Sequence, residues 1–251
     1  MQEPDLHTIL TELVQASSQG KTLVQFRSPI SAHQYLRLYR LVVKYVKPGS
    51  TVLDWGVGNG HFSYFLVKSG HTVSGYSFDD IPKVCSAFAP EVYTYKRGSF
   101  SDPISLPYGN QVFDAVVSVG VLEHVRVTGG NEVASLKDIF RTLKPGGHFI
   151  CFHLPNRYSW IEALGRMIGR WTHRYRYTFA DILSLSSTIG FEVIEIRRYA
   201  ILPRNIWWWG IPKGIGSSFQ MARLYDRLES FLSVLLSPIC QNYLFVAKKR
   251  I

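Results

Sequence analysis

Cysteine is scarce in this sequence. There are three in 251 residues, Cys85, Cys151 and Cys240, odd in number and far apart. That argues against a disulfide frame or a cysteine zinc site and fits reduced core thiols in a cytosolic protein. Long apolar runs are also missing, none approaching the ~18 to 20 residues that would span a bilayer. The opening MQEPDLHTIL carries acids where a signal peptide would carry positive charge, so export by that route is not expected. No linker, low-complexity run or internal repeat divides the chain, which is expected to form one domain over residues 1–251. Acids are short as well, but only locally. Residues 1–150 hold 14 Lys/Arg and 12 Asp/Glu, net +2, whereas residues 151–251 hold 14 and 6, net +8. The second part is expected to meet something anionic.

What is present is an alternation of short apolar runs and helical periodicity. Residues 31–46 have helical spacing and stop at Pro48-Gly49. TVLDW reads as a strand, HFSYFLVKSG as a helix, HTVSGYSF as a second strand and the run around IPKVCSAFA as a second helix. VFDAVVSVG is a buried strand, NEVASLKDIFRTLKPGG a helix and HFICFHL the next strand. TFADILSLSSTIGF, EVIEIRRYAI and NYLFVAKK follow as helix, strand and last strand. This order predicts an α/β fold built of βαβ units around a parallel sheet.

The stretch VLDWGVGNG, residues 52–60, puts three glycines at alternate positions between a strand and a helix, where backbone amides face a bound nucleotide. The spacing is GxGxG, with His61 next, not the GxGxxG of nicotinamide binders. Asp54 ends the strand. A carboxylate there repels a diphosphate and suits a cofactor bearing an amino group and a positive charge, such as S-adenosylmethionine.

This stretch, with LPYGNQVFDAVVSVGVLEHV and DIFRTLKPGGHFI at matching intervals, resembles the class I S-adenosylmethionine-dependent methyltransferases over roughly residues 35 to 155. The resemblance implies a Rossmann-like, doubly wound, mostly parallel seven-stranded sheet with an antiparallel last strand and helical lid insertions. It implies N-terminal helices over 1–47, a cofactor-binding core over 48–154, and substrate lids over 155–177 and 199–241. Gly56, Gly58 and the backbone near Trp55 would line the methionine portion, with Asp54 organising it. Where the family has a ribose-binding acid, this chain has Ser77, followed by Phe78, Asp79 and Asp80; either Ser77 or Asp79 holds the ribose, or the two acids cap the next helix. Ser99 and Phe100 replace the adenine-contacting acid, so adenine would be held by stacking and a backbone amide. Val119 and Gly120 would pass under the cofactor, with Glu123 and His124 following.

A sulfonium is already a good leaving group, so positioning supplies much of the rate. A hydroxyl acceptor also benefits from a base, usually histidine near neutral pH. The candidates are His173, His124 and His153. His173 comes first because similar enzymes place a histidine shortly before a helix opened by Tyr-Thr; a purely structural role stays open for each. The Asn/Asp-Pro-Pro-aromatic run of enzymes that methylate nucleobase amines or glutamine amides is missing, as is the Pro-Cys pair of cytosine C5 enzymes. That leaves oxygen as the first expectation, with carbon or a small-molecule amine behind it. No compact cluster of acids and histidines is evident, so no metal is expected.

Trp160, Ile161, Leu164, Met167, Ile168 and Trp171 share one helical face among Arg166, Arg170, Arg174 and Arg176. PRNIWWWGIPKGIG precedes an amphipathic stretch from about Phe219 to Leu236. Three consecutive tryptophans cannot all face inward. Aromatics among arginines fit an anionic small-molecule or glycolipid acceptor, a phosphorylated or lipid-linked sugar above all, in a cytoplasmic enzyme touching the inner face of a membrane. A quinone or isoprenoid precursor comes second. Nucleic acid ranks third, since no accessory nucleic-acid domain is present. A degenerate methyltransferase fold acting as a scaffold, without the ribose acid, is the non-enzymatic alternative.

Overall fold

Proline and a polar side chain decide how the first helices break. A computed structural model describes residues 5–19, 23–170, 172–203 and 218–250. In it α1 (Leu6–Ser18) is capped by Asp5, whose carboxylate accepts from the His7 and Thr8 amides. The helix expected over 31–46 is two helices, α2 (Pro29–His33) and α3 (Tyr35–Tyr45). They part at Gln34, whose side-chain amide donates to the Ser31 carbonyl at 2.7 Å. The remaining elements are β1 (Thr51–Trp55), α4 (His61–Lys68), β2 (Thr72–Ser77), β3 (Tyr93–Arg97), β4 (Phe113–Val119), α5 (Glu132–Thr142) and β5 (Leu143–Pro155). They continue through α6 (Trp160–Met167), α7 (Phe179–Ile189), β6 (Phe191–Tyr199), α8 (Phe219–Leu235) and β7 (Asn242–Lys249).

The sheet order is β3-β2-β1-β4-β5-β7-β6. β1 to β5 run parallel and β7 is antiparallel to both of its neighbours, as expected. Central strands covered on both faces need apolar residues at consecutive positions. Val52, Val117, Ile150 and Val246 face the layer of α1 to α4, where Tyr39 stacks on Phe65 at 3.9 Å between ring centres. Leu53, Val116, Phe149 and Phe245, each one position away, face the α5 and α7 side. Order reverses between β1 and β4, and in such sheets the crevice at the carboxyl ends of those strands is where ligands bind.

Two expectations fail here. Residues 81–89 form turns, not a helix, so Asp79 and Asp80 have no helix to cap. The turn segment is fixed instead by packing on Gly60, where a Cβ would lie 2.8 Å from Pro82, Val84 and Cys85, at a φ of +86°. Asp80 pairs in solvent with Arg97 at 2.7 Å. The Lys-Pro-Gly-Gly run, expected to close the helix, comes after it: the helix ends at Thr142 and the run lies inside β5. Trp171 and the tryptophans at 207–209 lie outside the described residues.

Gly60 and Gly70 both have left-handed backbone, but a Cβ on Gly70 meets nothing within 4 Å. Gly70→Ala is expected to cost about 1 kcal/mol, the left-handed penalty alone. Gly60→Ala adds overpacking and should cost about 2–4 kcal/mol in urea unfolding. Equal losses would mean that the 82–85 turn does not lean on Gly60.

Candidate active site

The loop after β1 is tied to β2, since the Gly56 and Val57 amides donate to the Tyr76 carbonyl at 2.8 and 3.3 Å. Gly56 has φ +85°, and a Cβ there would lie 2.2 Å from the Val121 side chain. No other residue lets the β1 and β4 loops approach this closely. Between them Asp54 is only 1% exposed, and the Ser63 hydroxyl donates to it at 2.6 Å. Burial pushes its pKa up to about 6. No Lys or Arg among the described residues forms an ion pair with it, so this buried carboxylate keeps its capacity for a cation.

A cavity of about 750 Å³ opens from this point. Asp54, Gly56, Gly58, Val119, Gly120, His124, His153 and His173 all line it, so most residues expected from the sequence meet at one place. Trp55 does not; it is buried in the core on the α5 side. Ser77, Phe78, Asp79, Ser99 and Phe100 lie outside the cavity, at the ends of β2 and β3. Phe100 is exposed and pairs with Phe78 at 4.8 Å between ring centres, which leaves an aromatic face for a base. The Tyr95 hydroxyl donates to the Asp79 carbonyl. Its oxygen must therefore accept the proton of Ser77 Oγ, 2.9 Å away, while Ser77 Oγ accepts from the Asp79 amide at 3.2 Å. With its proton committed, Ser77 has little to offer a ribose diol, whereas the Asp79 carboxylate stands exposed at the same strand end.

Across the cavity the structure corrects the expectation that no acids and histidines cluster. Glu123, His124 and His173 bring donor atoms within 4.8 Å of one another. Glu123 is 4% exposed, and its Oε2 has no hydrogen-bond partner among the described residues. Burial pushes its pKa up to about 7, and burial followed by the charge on His173 lowers that of His124. His173 is clamped by Glu162, which accepts from its amide at 2.9 Å and pairs with Nδ1 at 2.8 Å. Burial opposes the Glu162 carboxylate, yet these bonds outweigh it and hold its pKa below the usual value.

His153 sits in β5 with φ +59°, unusual for a non-glycine residue. The Tyr199 hydroxyl meets its amide at 2.9 Å and its Nδ1 at 2.8 Å. Sequence reasoning missed Glu162, His61 and Tyr35 as lining residues, while Arg170, expected around the lid face, does line the cavity. Ser159 to Glu162 has the spacing of a capping box, and Ser159 does cap α6, but the Glu162 carboxylate turns to His173 instead. His61 is buried, its pKa lowered to about 3 by burial and then by the charge on His153.

The profile of the methyltransferase-domain family matches residues 28–230. The chain belongs to this family. An uncharacterized methyltransferase of Synechocystis sp. is 31% identical over 162 residues, 62% of this chain and 73% of that protein. A probable tRNA methyltransferase 9B of Bos taurus is 33% identical over 111 residues, but the match spans 42% of this chain and only 22% of that protein. In fold, this methyltransferase superposes on an S-adenosylmethionine-dependent methyltransferase from Mesorhizobium loti with a TM-score of 0.56 at 17% identity, covering 86% of this chain and 97% of that one. Its cofactor is S-adenosylmethionine. The site fits that group: a buried carboxylate awaiting a cation beside a loop that closes to backbone contact. Asp54, Gly56, Gly58 and Gly120 would hold the methionine end, Asp79 the ribose, and Phe78 and Phe100 the adenine.

The folded pKa of Asp54 lies above its unfolded value of 3.8. The ionised group therefore costs stability, nothing well below pH 3.8 and about 2–3 kcal/mol above pH 6. Asp54→Asn should be more stable than the wild type at pH 7.5 and equal to it near pH 2.5–3 by denaturant unfolding, while binding S-adenosylmethionine at least tenfold more weakly. A gain independent of pH would refute this account. In calorimetric titration with S-adenosylhomocysteine, Asp79→Ala should lose about tenfold or more in affinity and Ser77→Ala less than about threefold, a charge-assisted bond against a weak neutral one. The reverse order would assign the ribose to Ser77.

Proposed function

We propose that this enzyme methylates a hydroxyl oxygen of an amphipathic, anionic acceptor, of the class of phosphorylated or lipid-linked sugars. The observation that carries the reading is the cavity's mixed lining. Imidazoles and carboxylates line it together with the apolar Trp160, Ile161, Leu164 and Ile168 of the α6 segment, and with Arg170. The α6 residues were expected on one face, and that face is turned outward at its far end, with Met167 83% exposed. An acceptor with an apolar body and a phosphate uses the α6 residues and Arg170; its hydroxyl then reaches the imidazoles and carboxylates.

The bound cofactor supplies an electrophilic methyl group on positively charged sulfur. The chain positions the oxygen and takes its proton. His153 suits the second task. Its Cβ lies 3.9 Å from where a side chain on Gly120 would begin, beside the strand end that would pass under the cofactor. Tyr199 fixes the imidazole, and Tyr35 meets it edge-on at 5.6 Å between ring centres. Left-handed backbone at a non-glycine residue costs roughly 1–3 kcal/mol and persists only where the surroundings impose it, commonly at functional sites. His173, the first choice from sequence, shares its corner with Glu123 and His124; the three are read as the group that receives the acceptor.

No helix among the described residues is long and apolar enough to cross a membrane. α8 nevertheless exposes Met221, Leu224, Leu228, Phe231 and Leu235, spaced three and four apart, with Arg223 and Arg227 on the same helix. Its inner side is polar. Glu229 accepts from the Ile201 and Leu202 amides at 3.0 and 2.8 Å, and Leu202 lines the cavity. An apolar row beside cations suits an anionic bilayer surface. It would hold the cavity near a lipid-linked acceptor. The tRNA similarity covers too little of either protein to carry its substrate across.

Transfer of radiolabelled methyl should be measured to a polyprenyl-phosphate sugar, a prenylated catechol, a free sugar and unmodified tRNA. The first is expected to accept label; exclusive labelling of the catechol or of tRNA would overturn the sugar assignment. His153→Asn, which tolerates left-handed backbone, should lower kcat by about 10²–10⁴ with S-adenosylhomocysteine affinity unchanged. An unaltered kcat would remove His153 as the base. Sedimentation with anionic vesicles should carry the wild type and lose Leu228→Glu/Phe231→Glu; equal sedimentation would leave α8 without a membrane role.

A further inference from the structure

We infer that Glu123, His124 and His173 bind a divalent transition-metal ion at the acceptor end of the cavity, with Glu162 orienting His173. Three donors within 4.8 Å of one another are the starting point. Metal–ligand bonds of about 2.0–2.2 Å set donors around one ion roughly 3–4.3 Å apart, so the group needs only a small contraction. His124 provides it, being 44% exposed at its side chain and already 3.9 Å from Glu123 Oε1.

Two further observations point to a cation. Glu123 is almost fully buried, with an oxygen that no donor among the described residues satisfies. A buried, unpartnered carboxylate is costly, and a bound cation offsets that cost. The second is Glu162. Ligating histidines usually present their other ring nitrogen to a carboxylate, which fixes the tautomer and strengthens the ligand. The Glu162–His173 bond at 2.8 Å has that form, and a second bond to the His173 amide keeps it in place.

The donor set names the metal class. Mg²⁺ and Ca²⁺ take oxygen ligands, whereas two imidazoles and one carboxylate suit Mn²⁺, Fe²⁺, Co²⁺ or Zn²⁺. Three protein ligands leave coordination positions open toward the cavity, where an acceptor hydroxyl would bind and become more acidic. That use rests on the O-methylation proposal; the binding of metal does not.

The test is therefore made on the full chain without cofactor or acceptor. Protein stripped with chelator is titrated with Co²⁺, followed by visible absorption, and with Mn²⁺ by calorimetry. One equivalent should bind at micromolar or lower Kd, with Co²⁺ bands of a nitrogen–oxygen site. Glu123→Gln, His124→Gln and Glu162→Gln should each weaken binding by tenfold or more, and His7→Gln, on an exposed residue of α1, should leave it unchanged. His124→Gln alters a half-exposed side chain and will fold, so its result stands even if a buried variant does not. No binding of either metal at millimolar concentration, or binding untouched by His124→Gln and Glu162→Gln, would overturn the site. If metal binds as described and no hydroxyl acceptor is ever labelled, the metal site stands and the O-methylation proposal falls.

Discussion

The contact of Gly56 with Val121 sets where everything else in the site can lie. A backbone carbon and a valine methyl meet where any Cβ would lie 2.2 Å from that methyl, well inside contact distance, which lets the loops after β1 and β4 come together at the point where strand order reverses. With those loops joined, Asp54 has no room for solvent. Gly120 is brought beside Glu123 and His153, and the cavity extends from there to residues of the α6 segment. A larger residue at 56 would part the two strand ends and separate the cofactor-binding residues from the imidazoles and carboxylates.

The chain's own pattern made much of this legible. Apolar residues at consecutive positions in VLDW, AVVS and FICF demanded strands covered on both faces, and the seven-stranded sheet with its reversed last strand follows the expected order. Periodicity failed where long-range packing overrode it. Pro82 to Ala89 has helix-forming composition, but its side chains are claimed by the bare backbone at Gly60, 22 or more residues earlier. No local signal encodes that contact. Lys144 to Gly147 reads as the end of the helix, yet the strand has begun at Leu143 and these residues form an irregularity in its pairing with β4, with Lys144 paired to Asp114 at 2.8 Å.

The site was legible in the same uneven way. Glycines and Asp54 announce themselves because loop geometry and strand ends impose residue types at fixed spacing. The histidines announced chemistry without arrangement: His124 and His173 are 49 positions apart in the chain, and only the return of the α6 segment across the strand ends puts their rings 6.0 Å apart. Glu162 was hidden for a different reason. Ser-x-x-Glu is satisfied locally as a helix start, so the sequence contains a sufficient explanation for the glutamate that has nothing to do with His173.

The buried acids separate structure from chemistry. Glu229 satisfies two backbone amides, Glu132 joins Arg126 at 2.7 Å and the Tyr177 hydroxyl at 2.7 Å, and Glu162 holds His173. Each is buried at a cost that its partners offset within the fold. Asp54 and Glu123 are different. Asp54 has one hydroxyl donor, Glu123 has an oxygen with none among the described residues, and burial raises the pKa of both toward neutrality. Both line the same cavity. A fold selected for stability alone would have paired these two or replaced them with amides. Their shared shortage of positive charge is what a sulfonium cofactor at one end and a cation at the other would supply. On the proposed reading Asp54 and Glu123 would flank the path of the transferred methyl group, while Glu162 holds His173 and Glu229 holds the backbone at Ile201 and Leu202 in place.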